Sequence, residues 1–318
     1  MRTNHGMRLA TGALALAALT GACGGEDART ASGDRSVAVA SPVTAEPTRA
    51  IPVVDTQPVP EPSVPRNVTY ADAETVYHAR RYSDAAEMFG VYVESHPENG
   101  WGHYMLGLSA WKAGTPDRAI ASFERVVELD SSNVKARTNL ARVLLDENRG
   151  ADALIHLEAA RELAPESGDV RRVLGNALSE LGRAEEALVA YRAALVLDPG
   201  DAWAMNNYAL QLIRLGRFEE ALPPLARAIE LMPTVAVFQN NLGVALERSG
   251  DLAGASAAYA AAVAADSTHG RARASLERVS PLAGATDGGF SDLRALALGF
   301  MDEMKHWSTA ELPEIGVR

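Results

Sequence analysis

What this chain has little of narrows its possibilities first. Cysteine is nearly absent: Cys23 is the only one among 318 residues. No disulfide can therefore form within the chain, and no pair of thiolates can hold a metal. Long hydrophobic runs are also missing. The apolar run Leu9–Leu19 carries no charge but is too short for a membrane-spanning helix, which needs about 20 residues. Positive charge is in deficit, with 30 Lys and Arg against 41 Asp and Glu and a formal net charge of -11. A field of that sign disfavours nucleic acid and anionic membrane surfaces, and attracts basic partners. The signatures of catalysis are lacking too. His78, His96, His103, His156, His269 and His306 are dispersed, with no His-Glu-x-x-His spacing, and there is neither a nucleophile elbow nor a phosphate-binding glycine loop. Carboxylates such as Glu185, Glu186, Glu219 and Glu220 fall at solvent-facing helical positions. The expectation is no enzyme activity, no cofactor and no metal.

What is present is a repeat. Pro97, Ser131, Pro165, Pro199, Pro233 and Ser267 recur without a break every 34 residues, as do Ala85, Ala119, Ala153, Ala187, Ala221 and Ala255. Four residues after each of those alanines stands a large side chain: Phe89, Phe123, Leu157, Tyr191, Leu225 or Tyr259. Each unit holds two helical patterns. In 168–201, Val170, Leu174, Ala177, Leu178 and Leu181 share one face, and Ala187, Leu188, Tyr191, Ala194 and Leu195 share another. Spacings of three and four residues define such stripes. Gly182 divides the two helices, and Pro199-Gly200 ends the second. Gly114, Gly150, Gly182, Gly216 and Gly250 are expected as helix caps in the turns inside the hairpins. One hairpin has too little interior to stand alone, so the units are expected to stack into a solenoid.

Leu106-Gly107, Leu140-Ala141, Leu174-Gly175, Tyr208-Ala209 and Leu242-Gly243, with the alanine, aromatic and proline positions, resemble the tetratricopeptide repeat (TPR) family. The resemblance covers 66–269 as six units, 66–99, 100–133, 134–167, 168–201, 202–235 and 236–269. The first departs most, with Asp72-Ala73 in place of Leu-Gly. It implies an all-α, right-handed superhelical solenoid of helix-turn-helix repeats. A capping helix is expected over 270–280, ended by Ser280-Pro281.

The N-terminal segment resembles another known pattern. Arg2 and Arg8, the apolar run, and then Gly21-Ala22-Cys23 resemble a bacterial lipoprotein signal with its lipobox, although Thr20 stands where leucine is usual. That resemblance implies removal of 1–22, acylation of Cys23 and a place in the cell envelope, on the outer membrane if the cell has one. The membrane is then met through the lipid anchor only. Loss of Arg2 and Arg8 takes the net charge from -11 to near -13. Residues 23–65 read as the lipidated cysteine and a disordered linker, with seven prolines between Pro42 and Pro65. At the other end a loop from 281 leads to an amphipathic helix over about 290–307, with Phe290, Leu293, Ala297, Phe300, Met301, Met304 and Trp307 on one side. It either folds back on the solenoid or serves a partner, and a tail follows it.

In the resembled family the first helices line a concave groove that takes peptides or partner helices. By that analogy the groove begins aromatic, with Tyr70, Tyr77, Trp101, Tyr104 and Trp111. Lys135, Arg142 and Arg172 make a cationic middle. Asn139, Asn176, Asn206, Asn207, Asn240 and Asn241, with Trp203, follow. Tyrosine and tryptophan bury much area at little entropic cost. An asparagine amide donates and accepts at once, so it suits a peptide main chain, or alternatively a neighbouring loop. A subtype of the family clamps a partner's C-terminal carboxylate. Asn139 matches its asparagine, but Tyr104 and Leu108 replace its Lys and second Asn, so the clamp is not implied. The expectation is a non-enzymatic interaction scaffold of the bacterial envelope that takes a basic or extended segment of an envelope protein. The alternatives are a peptidoglycan-associated lipoprotein, or a regulatory subunit of an envelope enzyme or of a secretion or pilus complex.

Overall fold

A computed structural model of the chain describes residues 67–284 and 291–307. The expected export segment, Cys23, the proline-rich stretch, residues 285–290 with Phe290, and the tail after 307 lie outside the described residues. Those described are helical, with no strand among them. Six antiparallel pairs follow one another: α1 (Tyr70–His78) with α2 (Tyr82–Ser95), α3 (Gly100–Lys112) with α4 (Pro116–Leu129), and α5 (Val134–Asp146) with α6 (Gly150–Leu163). Then come α7 (Gly168–Glu180) with α8 (Ala184–Leu197), α9 (Ala202–Arg214) with α10 (Phe218–Leu231), and α11 (Ala236–Ser249) with α12 (Leu252–Ala265). Two more helices, α13 (Gly270–Ala283) and α14 (Leu293–Trp307), complete the described chain.

The period is written into the helix ends. The last residue of a unit caps the next first helix: Asn99, Asn133, Ser167, Asp201 and His269 each accept from a backbone N–H three residues on. Capping satisfies one of the four orphan donors at a helix start. Val235 stands at that place before α11 and makes no side-chain cap. The fourth residue of a unit closes the same turn from the other side. His103, Arg137 and Gln239 reach back to the carbonyls of Pro97, Ser131 and Pro233 at 3.0, 2.9 and 3.3 Å, and Arg273 does so to Ser267. In the first unit α1 begins a turn late, on a capping box between Thr69 and Asp72.

The turn inside each hairpin needs a left-handed residue at the fifteenth place. Gly114, Gly182, Gly216 and Gly250 supply it, with φ of 76°, 73°, 77° and 92°. Gly150 does not. It opens α6, and its N–H donates to Glu180 Oε1 at 2.8 Å. Asn148 takes the left-handed place in that turn, and Arg80 takes it in the first unit. Asparagine tolerates this region better than other residues with a Cβ.

Within a hairpin the small residue of the Leu-Gly signature lies against the large residue of the second helix. A Cβ on Gly107, Gly175 or Gly243 would come within 2.8, 2.4 or 2.6 Å of the rings of Phe123, Tyr191 and Tyr259. Where the second helix offers leucine instead, at Leu157 and Leu225, the first helix carries Ala141 and Ala209, all four fully buried. Close helix approach thus sets glycine against an aromatic ring and alanine against leucine.

Successive first helices touch, as α5 does α7 and α9 does α11, whereas successive second helices make no comparable contact among the described residues. The first helices therefore stand on the inner side of the curve. Pro281 does not end α13 but lies inside its last turn, and the helix continues to Ala283. Helix α14 folds back on the second helices α10 and α8, on the side away from the groove. Its Ala297, Phe300, Met304 and Trp307 are buried there. No helix among the described residues is long and apolar enough to cross a membrane.

Candidate binding groove

The N-terminal part of the inner face holds two clefts that share Tyr104 and Lys135. One, of about 480 Å³, is bounded by Glu98, Asn99, Trp101, Asp130 and Asn133. The other, of about 380 Å³, is bounded by Thr138, Asn139, Arg142, Ser167 and Asp169. Trp101, on the wall of the first, is 62% exposed and meets Tyr104 edge-on, with centroids 5.3 Å apart. Tyr104 in turn stands edge-on to the buried ring of Phe123, and its hydroxyl accepts from Asn139 Nδ2 at 2.8 Å. Burial raises the phenol's pKa, partly offset by the Asn139 hydrogen bond and the charge of Arg142. Asp130 remains a carboxylate: hydrogen bonds from the Ser132 hydroxyl and N–H hold its pKa below the ordinary value. The first cleft thus offers an aromatic surface, a lysine and the Asp130 carboxylate, while Glu98 pairs with Arg125 at 3.0 Å.

Three of the other aromatics expected in the groove, Tyr70, Tyr77 and Trp111, are engaged. Tyr70 packs edge-on against Phe89 and Tyr92, and Tyr77 against Tyr82, inside the first hairpin. Trp111 donates from Nε1 to Asp146 Oδ2 at 2.8 Å, which ties α3 to the end of α5. Trp203 resembles Trp101: it is 43% exposed and edge-on to Phe238 at 4.9 Å.

The expected cationic middle is neutralised. Arg142 donates to both oxygens of Asp169, and Arg172 donates to Asp169 at 2.6 Å and to Asp201 at 2.8 Å. Two guanidinium groups and two carboxylates alternate across α5, α7 and α9, leaving Lys135 as the exposed cation of that stretch. Asp169 and Arg172 lie three residues apart on α7, but the approach of Arg142 to Asp169 from the neighbouring unit is not written in the pattern of either unit. Asp201 also caps α9.

The asparagines are spent on one another. Asn207 Nδ2 donates to Asn176 Oδ1 at 2.9 Å, Asn206 to Asn207 at 3.2 Å, Asn241 to Asn206 at 2.9 Å, and Asn240 to Asn241 at 3.4 Å. Tyr191 Oη closes the chain on Asn176 at 2.9 Å. Within the chain their partners are one another, not a neighbouring loop. Asn206, Asn240 and Asn241 are buried, as is Asn139, whose Oδ1 accepts from Arg142 at 2.7 Å. A ladder of amides across α7, α9 and α11 thus joins three units by side chains that burial would otherwise leave unsatisfied. Separations of 31 and 35 residues, close to the repeat period, were the available signal, since asparagines at nearby places in adjacent first helices come within reach of each other.

The architecture defines a helical-repeat solenoid presenting a concave face. Models of the tetratricopeptide repeat match residues 70–134, 104–168, 138–202 and 208–270, and a second model matches 190–222. Together they cover more than half the chain, which belongs to the tetratricopeptide repeat family, a fold that serves as a scaffold for protein–protein interaction. Among solved structures, TTC0263, a thermophilic TPR protein of Thermus thermophilus, aligns with 57% of this chain and 99% of its own at 22% identity and a TM-score of 0.51. A chain of the APC/C hetero-tetramer Cut9-Hcn1 aligns with 66% of this chain and 41% of its own, at 16% identity and a TM-score of 0.59. YrrB, described as a TPR protein with an unusual peptide-binding site, aligns with 60% of this chain and 99% of its own, at 24% identity and a TM-score of 0.45. These are likenesses of fold. A comparison with curated proteins finds no match.

Proposed function

We propose that this chain is a non-enzymatic scaffold of a bacterial cell envelope, held to a membrane by acyl groups on Cys23, that captures a segment of a partner protein in the groove around Trp101, Tyr104 and Lys135. The observation that carries the groove is a tryptophan left 62% open on the wall of a cleft that shares Tyr104 and Lys135 with a second one, on the inner face of a repeat scaffold. A large apolar ring exposed on a concave, otherwise polar surface marks an interaction site. The anchor rests on Arg2, Arg8, the uncharged Leu9–Leu19 run and the lone Cys23. Two or three acyl chains hold a protein stably on a membrane. The net charge of -11 favours a basic partner at long range.

Crosslinking and affinity capture from cells carrying the tagged full-length chain tests both parts. Trp101→Ala is expected to lose the captured partner with helicity unchanged, and an undiminished capture would remove the groove assignment. Cys23→Ser is expected to abolish labelling by a palmitate analogue. Labelling that persists in that variant would overturn the lipoprotein reading.

A further inference from the structure

Trp101 on α3 and Trp203 on α9 are the two large apolar residues that stay exposed within the groove-lining helices. Leu181 and Leu215 lie at hairpin turns, and the remaining exposed large apolar residues sit on second helices, at their ends, or on α13 and α14. Both tryptophans are the second residue of their unit, three units apart, so they stand in one row along the inner face. Neither is loose. Trp101 is held edge-on by Tyr104 at 86° and Trp203 by Phe238 at 73°. Rings fixed before a ligand arrives lose little rotamer freedom on binding it. The second residues of the two intervening units are Lys135 and Asp169. Asp169 belongs to the neutral Arg–Asp network. Lys135 is exposed and makes no ion pair among the described residues.

We infer that the groove takes an extended segment of another protein by two apolar anchors, one on Trp101 and one on Trp203, with polar residues between them and a carboxylate beside the first anchor, opposite Lys135. This rests on the groove reading above and adds a register to it. Neighbouring helices pack about 10 Å apart, so three steps along the row span roughly 30 Å. An extended chain advances about 3.3 Å per residue, which puts the anchors about nine residues apart. A helix advances about 1.5 Å per residue, so one or two turns of a partner helix cannot reach both rings. The overall negative field draws in a basic protein, while the single carboxylate sets where its segment sits.

The test is selection of displayed random peptides of about sixteen residues, long enough to span the row when extended, on the purified full-length chain. Enriched peptides are expected to carry two large apolar residues about nine apart, with Asp or Glu next to one of them. Trp101→Ala and Trp203→Ala are each expected to weaken binding about tenfold or more. Lys135→Glu weakens the acidic peptides alone. Trp101→Phe and Trp203→Phe, which keep a ring, retain most of the affinity and separate loss of an anchor from loss of fold, which circular dichroism checks. Peptides with one anchor that depend on Trp101 but not Trp203 overturn the two-anchor inference and leave the groove reading standing. Binding indifferent to both tryptophans, or no enrichment at all, overturns both.

Discussion

At the scale of single residues, the hairpins are governed by what glycine leaves empty. The space above Gly175 is filled by the Tyr191 ring, so Gly175→Ala sets a methyl 2.4 Å from ring carbon. Overpacking of that kind costs about 1–3 kcal/mol, and urea unfolding of the variant should show a loss in this range. The protein also contains the remedy, since units three and five pair Ala141 with Leu157 and Ala209 with Leu225. The double change Gly175→Ala with Tyr191→Leu is therefore expected to recover most of the loss. A double variant no better than the single one would show that the ring is not the obstacle. Glycine or alanine at the signature place was legible in the sequence, and so was the large residue four places past the recurring alanine. That the two choices are coupled was visible only once the two helices were laid together.

At the scale of elements, α14 accounts for an irregularity of the repeat. The signature leucine of unit five is Tyr208, and its ring lies 5.6 Å from Trp307 and 6.5 Å from Phe300 on α14. Burial pushes its pKa up to about 12. Arg192 of α8 stacks over the Trp307 ring at 4.6 Å. Ser291 donates from N–H and hydroxyl to Asp251 just ahead of the helix, at 3.0 and 2.9 Å. Trp307→Ala removes the ring both neighbours hold, at a cost of about 3–5 kcal/mol for a buried Trp. Hydrogen exchange in α14 should accelerate while α3–α7 keep their protection. Unchanged exchange in α14 would show that Trp307 is not what holds it. The amphipathic pattern over about 290–307 announced a helix but not its seat, because the seat is made by residues some hundred positions earlier.

The other terminal element is held by charge. Glu247 on α11 accepts from Arg278 on α13 and from the Tyr259 hydroxyl. The Arg278 hydrogen bond, foremost, holds its pKa below the usual carboxylate range. A depressed folded-state pKa means stability that is present above the unfolded value of about 4.3 and is lost as pH falls through the lower folded value. Protection of α13 against hydrogen exchange is therefore expected to drop as pH is lowered through that window, and Glu247→Gln should remove the dependence. A variant with the same acid response would place its origin elsewhere.

At the scale of the whole molecule, each hairpin packs against its sequence neighbours, so stability should be graded along the stack. Helix α1 is the short end, nine residues against thirteen in α3, α5, α7 and α9. The interior units share the Arg–Asp network, the amide ladder and, over α8 and α10, the cover of α14. Amide exchange is expected to be slowest in α7–α10 and fastest in α1 and α13. A uniform profile would mean that the stack opens as one cooperative block instead of from its ends.

The sequence by itself determined the number of units, their period and their helical nature, because a pattern of 34 residues repeated six times needs no long-range information to be read. Through the family resemblance it also nominated the residues expected to face inward, and it places no cysteine after Cys23. Only the tertiary structure decided which of those inward residues are available. The distance between corresponding residues of neighbouring first helices lets Arg142 and Arg172 find Asp169 and Asp201, lets the asparagines bond one another, and leaves Trp101, Trp203 and Lys135 without such partners. Arg142–Asp169, Asn207–Asn176 and Asn241–Asn206 cross unit boundaries and depend on how far one hairpin is rotated on the next, which the pattern within a single unit does not encode.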